Sequence, residues 1–184
     1  MKSIGKSGVK LVGETVILRW PKIQDAQWLF ENITKPEIVR NLTTRVESLE
    51  AEKKWIRSQP AKRRKKRDFM FVVTKKDTGE LLGACGVNEL DLKNSNCEIG
   101  YWLAKKYWGK GFATDFLKQL LNFCFENLKM HVVYAYTADF NERSQGLLKK
   151  VGFNYCGIFR ESMIFNGKRV DTPFYDILKS EWKG

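Results

Sequence analysis

The spacing of apolar residues divides the first third of the chain into one strand and two helices. Residues 12–20 alternate apolar and polar side chains and are rich in β-branched residues, which predicts a strand that ends at Pro21. Residues 23–33 carry apolar side chains three and four positions apart, which predicts a helix. Ser48 is a favourable N-cap, and we expect a second helix from there to about Arg57.

The next segment has the pattern of an antiparallel meander. Three strand-like runs, at residues 68–74, 80–92 and 97–104, are separated by short turns. Consecutive strands joined in this way pair as hairpins, so we expect three neighbouring antiparallel strands. Residues 58–67 precede them and include the run KRRKKR, which is too highly charged to pack, so we expect a basic loop there.

A long helix and a crossover follow the meander. Residues 111–128 repeat apolar side chains with the spacing of a buried helical face, and residues 130–138 form a β-rich run. A strand that follows a crossover helix favours parallel pairing with the strand before it, so we expect residues 130–138 to lie beside residues 97–104. Asn141 then opens another helix that ends near Val151.

The chain closes with a hairpin. Residues 153–165 and 169–179 are strand-like, and Asn166-Gly167 between them is typical of a type I′ turn. The order of elements predicts the α+β class, with a mixed, mostly antiparallel twisted sheet of about seven strands flanked by about four helices. We expect a single domain over residues 1–184, with a flexible start at residues 1–10.

Composition supports one folded domain and shows that its excess charge lies in one segment. The chain has 184 residues, of which 43% are apolar, and a formal net charge of +12. Residues 53–67 carry nine basic side chains and no acidic one, whereas the rest has 24 basic and 21 acidic residues. The run Lys62 to Arg67 would attract a polyanion such as ribosomal RNA, an acidic protein or the phosphates of a ligand. The alternative is a solvated loop without a partner.

Cysteine and histidine usage excludes several kinds of site. Cys85, Cys97, Cys124 and Cys156 match neither a zinc ribbon nor a disulfide framework, and His131 is the single histidine. We therefore expect no metal site and no Ser-His-Asp triad. Cys97 is a competing nucleophile for a ping-pong reaction, but buried inert thiols are more common.

The sequence has no apparent targeting or membrane segment. Its first ten residues lack an apolar signal core, and no run approaches the roughly 18 apolar residues that a membrane helix needs. We expect a soluble cytoplasmic protein without a membrane partner.

The segment most suggestive of chemistry is Glu98 to Thr114. It reads as a strand, a short loop with Gly109 and Gly111, and the start of the long helix. Glycines there let backbone amides crowd at a helix N-terminus, which favours a phosphate or pyrophosphate. The pattern is neither a P-loop nor a Rossmann turn, and taken alone it also fits an ordinary loop with glycines for tight packing.

These residues, with the motifs around them, carry a family resemblance. The strings GYWL, YWGKGFAT, NERSQGLLKKVGF and FYDILKSEW, in this order, resemble the GCN5-related N-acetyltransferase (GNAT) superfamily, in its ribosomal-protein N-terminal acetyltransferase branch of RimJ/RimL type. The likeness covers about residues 11–182. The family's acetyl-CoA signature falls on Trp108 to Ala113, where Trp108 replaces the general Gln or Arg.

The resemblance implies an acyl-CoA N-acyltransferase fold, three-layered α/β, with acetyl-CoA as cosubstrate and no metal. The pyrophosphate would lie on the amides of the helix start, and the pantetheine arm would pair with the strand before it, where two strands splay apart. For Asn141 and Ser144, helix capping is the alternative role. The residues that the resemblance assigns to acetyl-CoA are Tyr101, Trp102, Leu103, Trp108, Gly109, Lys110, Gly111, Phe112, Ala113, Thr114, Asn141 and Ser144.

The resemblance also suggests catalytic residues. Glu98 would act as the base, commonly through water, although a strand glutamate paired with a lysine is an equal alternative. Many relatives use a tyrosine seven positions after the asparagine as the acid, but here that position is Leu148. Ser144 is the substitute, and Tyr175 is a weaker candidate.

The implied activity is acetyl transfer to a primary amine by direct attack in a ternary complex. The expected acceptor is the N-terminal α-amine of a protein such as a ribosomal protein. A small amine (polyamine, amino acid or antibiotic) is the alternative, as is a non-catalytic basic module that binds RNA or the ribosome. We expect the acceptor surface to come from residues 23–57 and 153–179, and Trp28, Trp55 and Trp182 to mark a homodimer interface if they are exposed.

Overall fold

A mixed, mostly antiparallel sheet of eight strands organises the computed structural model, which describes residues 9–42, 45–165 and 167–184. The strand order is β1-β2-β3-β4-β5-β6-β8-β7, and β5 and β6 are the parallel neighbours. The strands are β1 (Lys10–Val12), β2 (Val16–Arg19), β3 (Phe69–Lys75), β4 (Leu81–Asp91), β5 (Asn96–Leu103), β6 (Val132–Tyr136), β7 (Asn154–Phe165) and β8 (Lys168–Leu178).

Helices cover both faces of the sheet, which gives three layers. The helices are α1 (Ala26–Ile33), α2 (Pro36–Val39), α3 (Leu49–Arg64), α4 (Phe112–Asn122) and α5 (Glu142–Val151). The apolar side of α4 packs into the larger core with alternate residues of β5, such as Cys97 and Ile99. Helices α1 and α3 pack on the opposite face, where Trp102 belongs to their cluster. The predicted class and the parallel pairing of β5 with β6 are confirmed.

The predicted single strand over residues 12–20 is wrong, because the chain turns back between two short strands. Strands β1 and β2 pair antiparallel around a turn that the amide of Gly13 closes on the carbonyl of Val16. The carboxylate of Asp115 on α4 accepts bonds from the amides of Glu14 and Thr15, at 3.1 and 2.6 Å. A partner 100 residues away thus stabilises the turn, and no local pattern reveals it.

The predicted end of the second helix near Arg57, and with it most of the predicted basic loop at residues 58–67, is also wrong. Helix α3 continues through Pro60 to Arg64. Basic side chains at a helix C-terminus interact favourably with the negative end of its dipole, which offsets the hydrogen bond that Pro60 cannot make. Arg63 also stacks on the ring of Trp20, with its Cζ 4.4 Å from the ring centroid.

The remaining features are the short helix α2, the turn of the last hairpin and the start of the chain. Helix α2 begins at Pro36, because proline is favoured at the first position of a helix. Asn166 of the predicted type I′ turn and residues 1–8 of the predicted flexible start lie outside the described residues. Over the parts of the chain that the structure describes, no helix has the length and hydropathy to cross a membrane.

The tryptophans proposed as interface markers are half-buried in the fold. Trp28 stacks on Trp102 with ring centroids 6.1 Å apart, and Trp55 packs with the α1 and α3 cluster. Trp182 donates a hydrogen bond from Nε1 to Asn122 at 2.8 Å. These contacts account for the three side chains, so they give no argument for a dimer.

Candidate active site

Strands β5 and β6 separate at Glu98. Their pairing covers three positions and ends where Glu98 opposes Tyr134. Strand β5 continues to Leu103 while β6 continues along β8 to Tyr136. In the described parts of the chain, the edge of β5 from residue 99 to 103 that faces β6 therefore has no strand partner, and its backbone groups are available to a ligand in the opening.

A glycine loop and the start of α4 lie beyond the end of β5. Gly109 and Gly111 have φ angles of +72° and +83°, a left-handed conformation that favours glycine. Gly111 is the N-cap of α4 and, having no side chain, leaves the first amides of the helix uncapped. A Cβ atom at either glycine would meet no atom of the described residues within 4 Å, so the space beside the glycines is open.

Trp108 connects this loop to β5 and to α5. Its Nε1 donates a hydrogen bond to the carbonyl of Leu103 at 2.6 Å. The guanidinium of Arg143, in the first turn of α5, stacks on its ring with Cζ 4.5 Å from the centroid. Trp108 thus places an aromatic ring where the family signature has Gln or Arg, and the guanidinium of Arg143 from α5 lies on that ring.

Glu98 lies at the narrow end of the opening, on the sheet face of α1 and α3. Its neighbours across the strands are Asn88 on β4 and Tyr134 on β6. Partial burial, with a smaller contribution from the charge of Glu89, raises the pKa of Glu98 to about 7. No lysine among the described residues contributes to this pKa. A carboxyl group with this pKa accepts a proton readily near neutral pH.

Ser144 contacts β5 through a tyrosine. The hydroxyl groups of Ser144 and Tyr101 lie 2.8 Å apart, and the ring of Tyr101 packs on Phe116 of α4. Burial raises the pKa of Tyr101, which keeps the phenol protonated. Asn141 caps α5 by accepting a hydrogen bond from the amide of Ser144 at 3.2 Å, as the capping interpretation expects.

The other residues considered for the acid or the nucleophile make contacts within the fold or are buried, and His131 lies at the surface. Tyr175 is 1% exposed, and its hydroxyl donates to Gln145 at 3.1 Å. Leu148 is buried in the core. Cys97 is fully buried, whereas a nucleophilic thiol needs to be accessible. His131 is exposed at the start of β6, where its amide donates to Ser95.

The remaining residues assigned to acetyl-CoA divide between loop and strand. The side chain of Trp102 lies on the face opposite α4, so only its backbone faces the opening. Phe112 packs edge-on to Tyr107, with centroids 6.1 Å apart, and Lys110 is exposed beside the glycines. Ala113 and Thr114 belong to the first turn of α4 and are half-buried.

Comparison with known proteins decides the family. The model of the acetyltransferase (GNAT) domain matches residues 15–154. The chain belongs to the GNAT acetyltransferase family. This GNAT chain is 32% identical over 167 residues to the uncharacterized N-acetyltransferase YoaA of Bacillus subtilis (strain 168), covering 90% of this chain and 94% of the relative. The resemblance found in the sequence is thereby confirmed.

Solved structures share the fold of this GNAT chain. Mycobacterium smegmatis RimJ in complex with CoA-disulfide superposes with a TM-score of 0.87 at 21% identity, covering 99% of this chain and 91% of RimJ. RimL, described as a ribosomal L7/L12 alpha-N-protein acetyltransferase and solved with coenzyme A, gives a TM-score of 0.84 at 18% identity, covering 94% and 98%. At these identities the likeness shows the fold.

Sequence reasoning missed two contacts of this site. The motif NERS drew attention to Asn141 and Ser144, but Arg143 between them is the residue that reaches Trp108. Tyr101 was assigned through its backbone, whereas its hydroxyl contacts Ser144. In the described parts of the chain, no group of three or more His, Cys, Asp or Glu side chains is arranged to hold a metal ion.

Proposed function

We propose that this protein transfers the acetyl group of acetyl-CoA to the N-terminal α-amine of a protein, such as a ribosomal protein in the cytoplasm, by direct attack in a ternary complex. The observation that carries the proposal is the opening between β5 and β6, with Glu98 at its narrow end and the start of α4 beyond its other end. This arrangement gives one path from an anion site to a basic group.

The residues that would hold acetyl-CoA fit its chemistry. The open amides from Gly109 to Thr114 suit a diphosphate at the positive end of the α4 dipole. Arg143 on the Trp108 ring adds a cation beside them. The unpaired edge of β5 suits the amides of a pantetheine arm, which would pair with it like an added strand. The thioester supplies an activated acyl group and a good leaving group.

Glu98 has the position and the proton affinity of a general base. The α-amine is protonated near neutral pH, and its nitrogen attacks only after that proton has gone. The carboxylate of Glu98 accepts the proton, directly or through water, and its pKa of about 7 lies close to that of an α-amine. The carbon–nitrogen bond then forms, and the carbon–sulfur bond breaks as the thiolate leaves.

Ser144 and Tyr101 supply a route for a proton to the thiolate. Ser144 is in the first turn of α5, and Tyr101 lies on the α4 face of β5. Their hydrogen bond orients the Ser144 hydroxyl, which donates its proton to the thiolate and takes one back from solvent after the product has left. A thiolate is a stable leaving group, so we expect this contribution to be smaller than that of Glu98.

An acceptor panel tests the proposed activity. The purified protein is incubated with acetyl-CoA and one acceptor, and the released thiol is measured. The acceptors are peptides with free N-termini, N-terminally blocked peptides and small amines. We expect thiol release and peptide acetylation only with a free α-amine. Turnover with small amines alone would contradict the protein acceptor, and absence of turnover with every amine would contradict the activity.

A further inference from the structure

The sheet face that carries Glu98 continues into a row of aromatic side chains on β6, β8 and β7. We call Tyr134, Tyr136, Phe159 and Phe174 the aromatic face. Neighbouring ring centroids in it lie 5.2–6.0 Å apart. Phe159 is 51% exposed and the other three are half-buried, so the rings form a contiguous surface that solvent reaches. A surface of this kind next to an active site is suited to binding part of a substrate.

A second carboxylate lies where this aromatic face meets Glu98. Glu89 has a φ angle of +44°, within an irregularity of the pairing between β4 and β5. This backbone conformation is costly for a residue other than glycine, and such positions concentrate at functional sites. Its carboxylate accepts a hydrogen bond from the hydroxyl of Tyr134 at 3.3 Å. Glu89 and Glu98 thus flank the first ring of the aromatic face.

The basic segment, Lys62 to Arg67, lies at the same end of the sheet on the other side of Glu98. It ends just before β3, whose first residue Phe69 pairs with Val87, and Val87 pairs with Ile99 of β5. Two strand spacings, about 10 Å, therefore separate the end of the basic segment from Glu98. Arg64, Lys65 and Arg67 in it are exposed.

We propose that this end of the sheet binds the N-terminal segment of an acceptor chain that begins with an apolar residue and continues with acidic residues. The α-amine lies between Glu89 and Glu98, and the first side chain packs on the aromatic face. The chain leaves across β4 and β3, and because an extended chain advances about 3.4 Å per residue, its residues from the third or fourth onward reach the basic segment. This inference rests on the acetyl transfer proposed above.

Charge favours this occupant over a polyamine. A single ammonium group is complementary to the two glutamates, whereas the further ammonium groups of a polyamine extending toward β3 would meet the basic segment. A peptide with acidic residues gains from both charged regions. The two regions together thus specify one orientation of the acceptor.

Four peptides test the two halves of the inference. They are hexapeptides whose first residue is Leu or Ser and whose last four residues are Glu or Lys, and kcat/KM is measured with acetyl-CoA at low salt. We expect the Leu-first peptide with Glu to exceed its Ser-first counterpart about 10-fold. We also expect it to exceed the Leu-first peptide with Lys, by a factor that shrinks as salt is added.

Matched variants test whether the aromatic face causes the preference for Leu and the basic segment causes the preference for Glu. Phe159→Ser should lower the preference for Leu over Ser at least about 3-fold. Ile164→Ser, on the same strand and 63% exposed but outside the aromatic face, should leave that preference unchanged. The triple variant Arg64→Ser, Lys65→Ser and Arg67→Ser should abolish the preference for Glu over Lys without changing turnover of glycinamide, which has no side chain and no tail.

The outcomes separate this inference from the proposed activity. Equal kcat/KM for all four peptides would overturn the inference, and so would faster acetylation of spermidine than of any peptide. In both cases, acetyl transfer to glycinamide would still support the proposed activity. A Leu preference that persists in the Phe159→Ser variant would equally remove the aromatic face from the acceptor site. Inert glycinamide together with four inert peptides would reject the acetyl transfer itself.

Discussion

Glu98 is the residue on which the proposed chemistry depends most. Its pKa is raised to about 7, so the carboxyl group exchanges its proton near neutral pH and acts as a base only in the deprotonated form. An environment that hydrogen-bonded or ion-paired this carboxylate would lower its pKa and weaken it as a base. The partial burial seen here has the opposite effect.

Glu98→Gln should reduce kcat/KM about 100-fold at pH 8. The ratio of wild-type to variant kcat/KM should rise with pH and level off above an apparent pKa of about 7. Taking the ratio removes the titration of the acceptor amine, which both proteins share. A ratio that is constant from pH 5.5 to 9 would exclude Glu98 as the base.

The same substitution should stabilise the fold at high pH. The folded state holds the Glu98 proton up to about pH 7 while the unfolded state releases it near pH 4.5, so stability falls as pH rises through that window. Allowing for the solvent contact that the side chain keeps, Glu98→Gln should raise the free energy of unfolding by about 1–2 kcal/mol above pH 7. Urea unfolding at pH 4 and pH 8 measures it, and a gain of equal size at both would contradict the assigned pKa.

Arg143 should contribute to coenzyme binding through its charge. Arg143→Ala should weaken CoA binding about 5-fold to 10-fold at low salt, since a partly exposed cation gives about 1 kcal/mol toward a phosphate. Lys150→Ala, in the last turn of the same helix, is the matched control. Calorimetry in 0.05 M and 0.5 M salt should show the deficit shrinking, and equal affinities for both variants would refute the contact.

At the level of elements, residue 111 at the start of α4 has to tolerate a left-handed backbone and to keep negative charge away from the anion site. Gly111→Asn tolerates the left-handed backbone and should keep most of the CoA affinity, whereas Gly111→Glu should abolish it by placing a carboxylate at the anion site. Calorimetric titration with CoA measures both, with thermal unfolding to confirm that each variant is folded. Unchanged affinity in Gly111→Glu would remove the anion site from the start of α4.

The link between α4 and the first two strands should be important for stability. Asp115 accepts hydrogen bonds from the amides of Glu14, Thr15 and Val16 and from the hydroxyl of Thr15. Asp115→Ala should lower the free energy of unfolding by about 2–3 kcal/mol. Asp77→Ala, which removes an exposed pair with Lys75, should cost less than about 1 kcal/mol. Similar losses in the two variants would contradict this role of Asp115.

Local patterns predicted most elements because their causes are local. The apolar stripe of α4, the Asn141 cap of α5 and the parallel pairing after the crossover all depend on neighbouring residues or on chain connectivity. The turn between β1 and β2 was missed because Asp115, far along the chain, stabilises it. Helix α3 was ended too early because the contact of Arg63 with Trp20, beyond Pro60, joins residues far apart in the chain.

The candidate site was predictable as a list of residues but not as a set of contacts. The glycines and Glu98 follow from the family motif, and the opening of the sheet follows from the family fold. The contacts of Tyr101 with Ser144 and of Arg143 with Trp108 join residues more than 30 positions apart, and periodicity carries no information about such pairs. The strained backbone of Glu89 likewise depends on an irregular pairing that no turn motif signals.

Across the whole molecule, charge is arranged around the opening between β5 and β6. Cations at Lys110 and Arg143 lie near the start of α4, and Glu98 lies at the narrow end of the opening. The basic segment begins in the last turn of α3 and lies on the side of Glu98 away from the aromatic face. The net charge of +12 is therefore unevenly distributed, and the proposed binding of an anion, an amine and an acidic chain rests on this distribution.

A crystal structure of the protein with coenzyme A tests the central claim most directly. The account predicts the diphosphate on the amides of Gly109 to Thr114, the pantetheine arm along the free edge of β5, and the sulfur near the hydroxyl of Ser144. A diphosphate bound elsewhere, or an opening between β5 and β6 closed by side chains while coenzyme A is bound, would contradict it.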